Sequence, residues 1–152
     1  MWTYLLLFAL TLWPPTDQTG VHSARQQAHR LREMSAITAD IVSTDATILE
    51  ALTLENIVAY ESGFERSARG RAGEMGAYQI MPSKDTTKAQ LKEWQAHGAK
   101  EALRRLRVQG IDGYCGCSKW SPCPKMVENR TRPAREWLAE HPLAPIEVAG
   151  NP

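Results

Sequence analysis

Residues 48–82 read ILEALTLENIVAYESGFERSARGRAGEMGAYQIMP, and the change of character inside this stretch decides how the chain folds. Up to Glu61, Ile48, Leu49, Leu52, Leu54, Ile57 and Val58 recur at the spacings that place apolar side chains on one helical stripe. Ser43-Thr44-Asp45 supplies a break and an N-cap before this helix, and Gly63 is a natural stop after it. From Ser67 to Pro82 the stretch turns to glycine and small residues, with Gly70, Gly73 and Gly76 spaced by three, which favours an irregular loop. Binding and catalysis concentrate on such loops.

Outward from this centre the pattern stays helical. Ala24 to Val42 alternates His29, Arg30, Arg32 and Glu33 with Leu31, Met34, Ile37 and Ile41, an amphipathic helix. Helical periodicity returns from Thr86 to Gln109 and from about Val127 to Ala139, separated by the Gly- and Cys-rich stretch Gly110 to Pro124. No run suggests paired strands and no fixed-period repeat is present. The expected fold class is all-α.

A chain of 152 residues, 43% hydrophobic and 23% charged, suits one domain, which we place at residues 24–141. With 18 Lys and Arg against 17 Asp and Glu, no global field points to nucleic acid. Trp2 to Trp13 is an uncharged apolar run closed by Pro14-Pro15, short for a membrane span but suited to a secretory leader. Cleavage is expected after Ser23 in Val21-His22-Ser23, giving an exported (periplasmic or extracellular) monomer. The alternatives are an uncleaved anchor, associating with a membrane through residues 2–13, and a buried N-terminal helix. Residues 142–152 form a short, Pro-containing tail expected to be loose.

The chemistry points to Glu61. Stepping back at helical spacing meets Val58, Ile57 and Leu54, so the carboxyl stands at the C-terminal end of the apolar stripe. Partial burial and the negative end of the helix dipole both disfavour the carboxylate and raise its pKa. A carboxylic acid kept protonated near neutral pH is what protonation of a departing glycosidic oxygen requires. The position equally suits an ordinary helix-end glutamate reaching water. In the loop that follows, Gly73 and Gly76 allow close backbone approach, Tyr78 offers a face for a sugar, and Gln79 carries an amide able to bond a hydroxyl or acetamido group. A surface turn needing only positive φ would also use these glycines.

The string Glu61-Ser62-Gly63-Phe64, then Ser67-Ala68, Gly70 and Gly73-Glu74-Met75-Gly76-Ala77-Tyr78-Gln79-Ile80-Met81-Pro82, resembles the catalytic region of soluble-type lytic transglycosylases and their goose-type lysozyme relatives. The resemblance implies a lysozyme-like helical domain with a Gly-rich active-site loop and no metal or cofactor. Its substrate would be peptidoglycan glycan strands, cut between N-acetylmuramic acid and N-acetylglucosamine. Glu61 would act first as acid and then as base, with attack by the sugar's own C6 hydroxyl leaving a 1,6-anhydro end. Ser62 would orient the acid or the substrate, and Met75, Gly76, Tyr78 and Gln79 would bind along the cleft. A third family motif is represented by Tyr114-Cys115-Gly116, which implies a Tyr114 hydroxyl bonded to Glu61. The interval before this motif is short for the family, and the pattern that normally precedes the tyrosine is hard to locate around Leu103 to Arg107.

Cys115, Cys117 and Cys123 crowd together in a chain expected to be exported, so a disulfide is expected, with Cys117 to Cys123 the preferred pair. A zinc site of these cysteines with His97 or His141 is the sharper alternative. Trp94, Trp120 and Trp137 could stack on sugars, Trp120 foremost because it lies on a loop. A lysozyme-like hydrolase would need a water-activating carboxylate, for which Glu65, Glu74, Asp85 and Asp112 are candidates. A noncatalytic glycan-binding protein is the alternative of a different class.

Overall fold

The computed structural model describes residues 24–115 and 123–141, which form five helices: α1 Ala24–Val42, α2 Ile48–Glu61, α3 Lys88–His97, α4 Ala99–Tyr114 and α5 Cys123–Glu140. Extended pairing among the described residues is limited to isolated bridges of Met75 with Arg69 and with Ile80. The all-α expectation holds. The expected leader, Cys117, Trp120 and the tail lie outside the described residues. None of the described helices is long and apolar enough to cross a membrane.

α2 is the centre. It starts at Thr47, two residues beyond the expected Asp45 cap, because a reciprocal capping box forms there. The Thr47 hydroxyl accepts from the Glu50 N–H, and the Glu50 carboxylate accepts from the Thr47 N–H at 2.8 Å. Asp45 instead receives the Arg107 guanidinium, which also bonds Glu50 and so ties α4 to the start of α2. From Ala51 to Val58 every residue is buried, so α2 is covered on all sides rather than along one stripe. α1, α4 and α5 all pack against it.

The expected helix from Thr86 to Gln109 is two helices with Gly98 between them. A second capping box, Thr87 with Gln90, starts α3. A Cβ added to Gly98 would lie 2.7 Å from the Trp94 carbonyl oxygen and 2.8 Å from the Tyr78 ring, so only glycine lets these elements close together. The chain turns there and α4 begins, its Ala99 N–H held by the Asp40 carboxylate at 2.9 Å. α4 runs beyond Gln109 to Tyr114, bent at Gly110, whose φ of 65° interrupts the helical geometry. α5 starts at Cys123, earlier than its apolar period suggested, with Pro124 in the first turn where a missing N–H does no harm.

Glu55 lies fully buried in the middle of α2. The Thr38 hydroxyl of α1 donates to its Oε1 at 3.0 Å, while its Oε2 and the neighbouring Asn56 Oδ1 have no partner among the described residues. Burial pushes this carboxyl from 4.5 up to about 8, against the opposing pull of the Thr38 hydrogen bond. The folded chain therefore holds a proton that the unfolded chain releases. That stability is complete below about pH 4.5 and is lost as pH rises through about 8. Urea unfolding between these limits should show stability falling by on the order of a few kcal/mol as pH rises. Glu55→Gln should flatten the decline, and an equally steep decline in that variant would refute the assignment.

Candidate functional site

The end of α2, the loop from Ser62 to Thr87 and the C-terminal half of α4 enclose a groove of about 570 Å³. Glu61, Glu74, Met81, Arg105, Gln109 and Tyr114 are among its walls. Glu61 enters because it stands one turn beyond Val58 on the same stripe, where the helix ends and leaves the core, and Ser62 closes the helix with its N–H on the Val58 carbonyl. Its carboxyl is half-buried. Burial raises its pKa, and the negative charge of Glu74 raises it further.

Glu74 is fixed by its loop. Its carboxylate accepts the Ala72 N–H at 3.0 Å, and its carbonyl accepts the Gly70 N–H at 2.9 Å. On another side of Glu61, Cys115 and Cys123 form a disulfide between the end of α4 and the start of α5. A carboxyl oxygen of Glu61 and the two sulfurs all lie within 4.8 Å of one another. This pairing corrects the expected Cys117 to Cys123 bridge. The last turn of α4, closed by the Cys115 N–H on the Ile111 carbonyl, brings the Cα of Cys115 to 5.9 Å from that of Cys123, within disulfide range. With these two sulfurs joined, the three-cysteine zinc reading loses its ligand set. His97 instead lies 3.6 Å from Asp40, and His141 stacks on Trp137 with ring centroids 4.7 Å apart.

Of the catalytic, binding and second-carboxylate candidates from sequence, Glu61, Tyr114 and Glu74 share the groove. Tyr114 does not bond Glu61: its hydroxyl donates to the Tyr78 carbonyl at 2.8 Å. Burial raises its pKa, the Arg105 charge opposes the rise and the Glu61 charge adds to it, so the phenol sits in the field of both side chains. Tyr78 is 2% exposed and part of the core, its hydroxyl donating to Asp40 at 3.2 Å, so it presents no face to a sugar. Met75 is buried, exchanging backbone hydrogen bonds with Ile80 at 3.0 Å in both directions. Gly76, with φ of 75°, approaches protein rather than ligand, since a Cβ there would lie 2.8 Å from the Trp94 carbonyl oxygen. Gln79 turns its amide onto the Gly76 carbonyl at 2.8 Å. The Ser62 hydroxyl donates to the Val58 carbonyl and accepts from the Glu65 N–H, and the residue lines a separate pocket beside α1.

The loop folds inward because Met75, Ala77, Tyr78 and Ile80 together offer more apolar surface than an exposed turn can leave in water. Met81, 41% exposed, takes the place in the groove expected for Met75. Among the candidate second carboxylates only Glu74 lines the groove. Glu65 accepts from Ser67 and pairs with His29 at 3.0 Å, while Asp85 and Asp112 are exposed elsewhere. Arg105 and Gln109 escaped sequence reasoning. Regular helical spacing puts both on a different face of α4 from Tyr114, and the break at Gly110 is what brings all three to the groove.

Compared with family models, with curated proteins and with solved structures, the chain matches none.

The coupling of the two carboxyls is measurable without any substrate. Removing the charge in Glu74→Gln should lower the Glu61 pKa, read by NMR titration of carbon-13-labelled glutamate carboxyls. An unchanged midpoint would sink the coupling.

Proposed function

We propose that this chain is a peptidoglycan lytic transglycosylase with a lysozyme-like helical domain, cleaving between N-acetylmuramic acid and N-acetylglucosamine with Glu61 as general acid and base. The observation that carries the reading is the half-buried Glu61 carboxyl, opening on a groove of about 570 Å³ and biased toward its protonated form by burial and by Glu74. The protonated carboxyl gives its proton to the glycosidic oxygen as the bond to the anomeric carbon breaks. The resulting carboxylate then takes the proton of the C6 hydroxyl as that oxygen attacks the anomeric carbon, closing the 1,6-anhydro ring and returning Glu61 to its starting state. An exported chain, as the N-terminal apolar run suggests, would meet this polymer outside the membrane.

Glu74 favours a second reading. A carboxylate in the same groove is the group that a lysozyme-like hydrolase uses to activate water or to stabilise the cation. Both readings require the acid. Glu61→Gln should reduce release of soluble fragments from purified sacculi by roughly 10²- to 10⁴-fold while leaving the helical circular-dichroism spectrum and sacculus binding intact. Undiminished lysis would reject the assignment. In wild type, mass spectrometry should find anhydro muropeptide ends, whereas products heavier by one water would transfer the reading to the hydrolase.

A further inference from the structure

Arg104 and Arg105 both reach Glu101, but with different results. Arg104 spends Nε and Nη2 on the two Glu101 oxygens, each at 2.8 Å, and its side chain is 62% exposed. Arg105 gives Glu101 only its Nε, at 2.7 Å, and its guanidinium carbon lies 5.5 Å from the centre of the Trp94 ring. Ring and carboxylate hold the guanidinium in place, and its side chain is only 18% exposed. Its Nη groups meet no protein acceptor among the described residues. A fixed, partly desolvated guanidinium with an unspent edge lining a groove is suited to donating paired hydrogen bonds to a carboxylate.

The rest of the groove gives that edge a direction. The negative charge of Glu74 makes the Glu61 end of the groove unfavourable to an anion, while two arginines share the single Glu101 carboxylate and leave the α4 wall positive. Tyr114, whose phenol feels both Arg105 and Glu61, sits in the field of the two. A glycan carrying a carboxylate would therefore enter in one register, with its anionic group on Arg105 and its glycosidic oxygen at Glu61.

Resting on the function proposed above, we infer that Arg105 is the specificity-determining residue of the groove, binding a carboxylate of an anionic glycan and setting it apart from a neutral one. Two sources offer this chemistry in peptidoglycan. They are the free lactyl carboxylate of peptide-free muramoyl sugars and the carboxylates of attached stem peptides.

The test measures binding by calorimetry to Glu61→Gln protein, which cannot consume its ligand, with and without Arg105→Gln. Three probes are used: a neutral N-acetylglucosamine oligomer, a peptide-free alternating muramoyl oligomer, and the same oligomer bearing stem peptides. Arg105→Gln should weaken binding of a carboxylate-bearing probe by roughly tenfold to a hundredfold and leave the neutral oligomer unaffected. The probe that loses affinity identifies the source. Arg105→Lys, which keeps the charge without the fork, should recover only part of the loss. With Glu61 intact, Arg105→Gln should raise KM for the anionic substrate and change kcat little. Equal losses for neutral and anionic probes would mark Arg105 as merely structural and overturn the inference. Binding of all three probes with no effect of Arg105→Gln would overturn it too, leaving the proposed function standing. Failure of Glu61→Gln protein to bind any probe would overturn both.

Discussion

The structure depends on a helix that has no solvent face. α2 is buried from Ala51 to Val58, so its neighbours are arranged as walls around it, with α1, α4 and α5 all in contact. Leu54, Ile57 and Val58 are at 0% exposure, and burial of each such side chain is worth about 1.5–3 kcal/mol. Closure has two polar consequences. Glu55 and Asn56 are sealed inside, each with one oxygen unpartnered among the described residues, and Glu61 emerges as the helix reaches the surface. The same constraint fixes how far Glu61 is covered, because the wall formed by α4 and its disulfide with α5 ends beside it.

The loop is held by the core at a second node. Asp40 of α1 accepts the Tyr78 hydroxyl at 3.2 Å and the Ala99 N–H at 2.9 Å, joining α1, the loop and α4 through one carboxylate. Burial raises the Asp40 pKa and these donors partly offset it. Gly76 and Gly98 admit the Trp94 carbonyl from two sides, so α3 closes over the same turn. Glu74, four residues before Tyr78 in sequence, is thereby carried on a loop whose apolar residues point inward and whose backbone is paired.

Local signals made α1 legible from Ala24 to Val42 and placed Glu61 at the edge of the core. Both follow from a period that a single element carries in its own residues. The break at Gly98 was not legible, because glycine inside a helical pattern is ambiguous until Trp94 and Tyr78 are known to press on it. Tyr78 looked like a sugar platform for a related reason: in sequence an aromatic on a glycine loop is the same whether it faces a ligand or Asp40. The disulfide was foreseen and its pairing was not, since the choice between Cys115 and Cys117 depends on how far α4 continues past the kink at Gly110.

What distinguishes Glu61 from the other glutamates is the company it lacks. Glu33 receives Arg66 through both guanidinium and backbone bonds, and its pKa is lowered. Glu50 and Glu101 meet Arg107 and Arg104 and are each held at about 2. Each of these carboxyls is locked in its charged form by a cation. Glu61 has no hydrogen-bond donor among the described residues, and it lies beside two sulfurs that offer none and a second carboxyl that opposes its charge. Glu55 shares that bias toward the neutral form, but α2 seals it from any ligand. Only Glu61, among the described glutamates whose pKa is raised, also opens on a groove. A proton held by an isolated carboxyl at an open wall can be given to a ligand and taken back, and the fold meets that requirement by ending its most buried helix there.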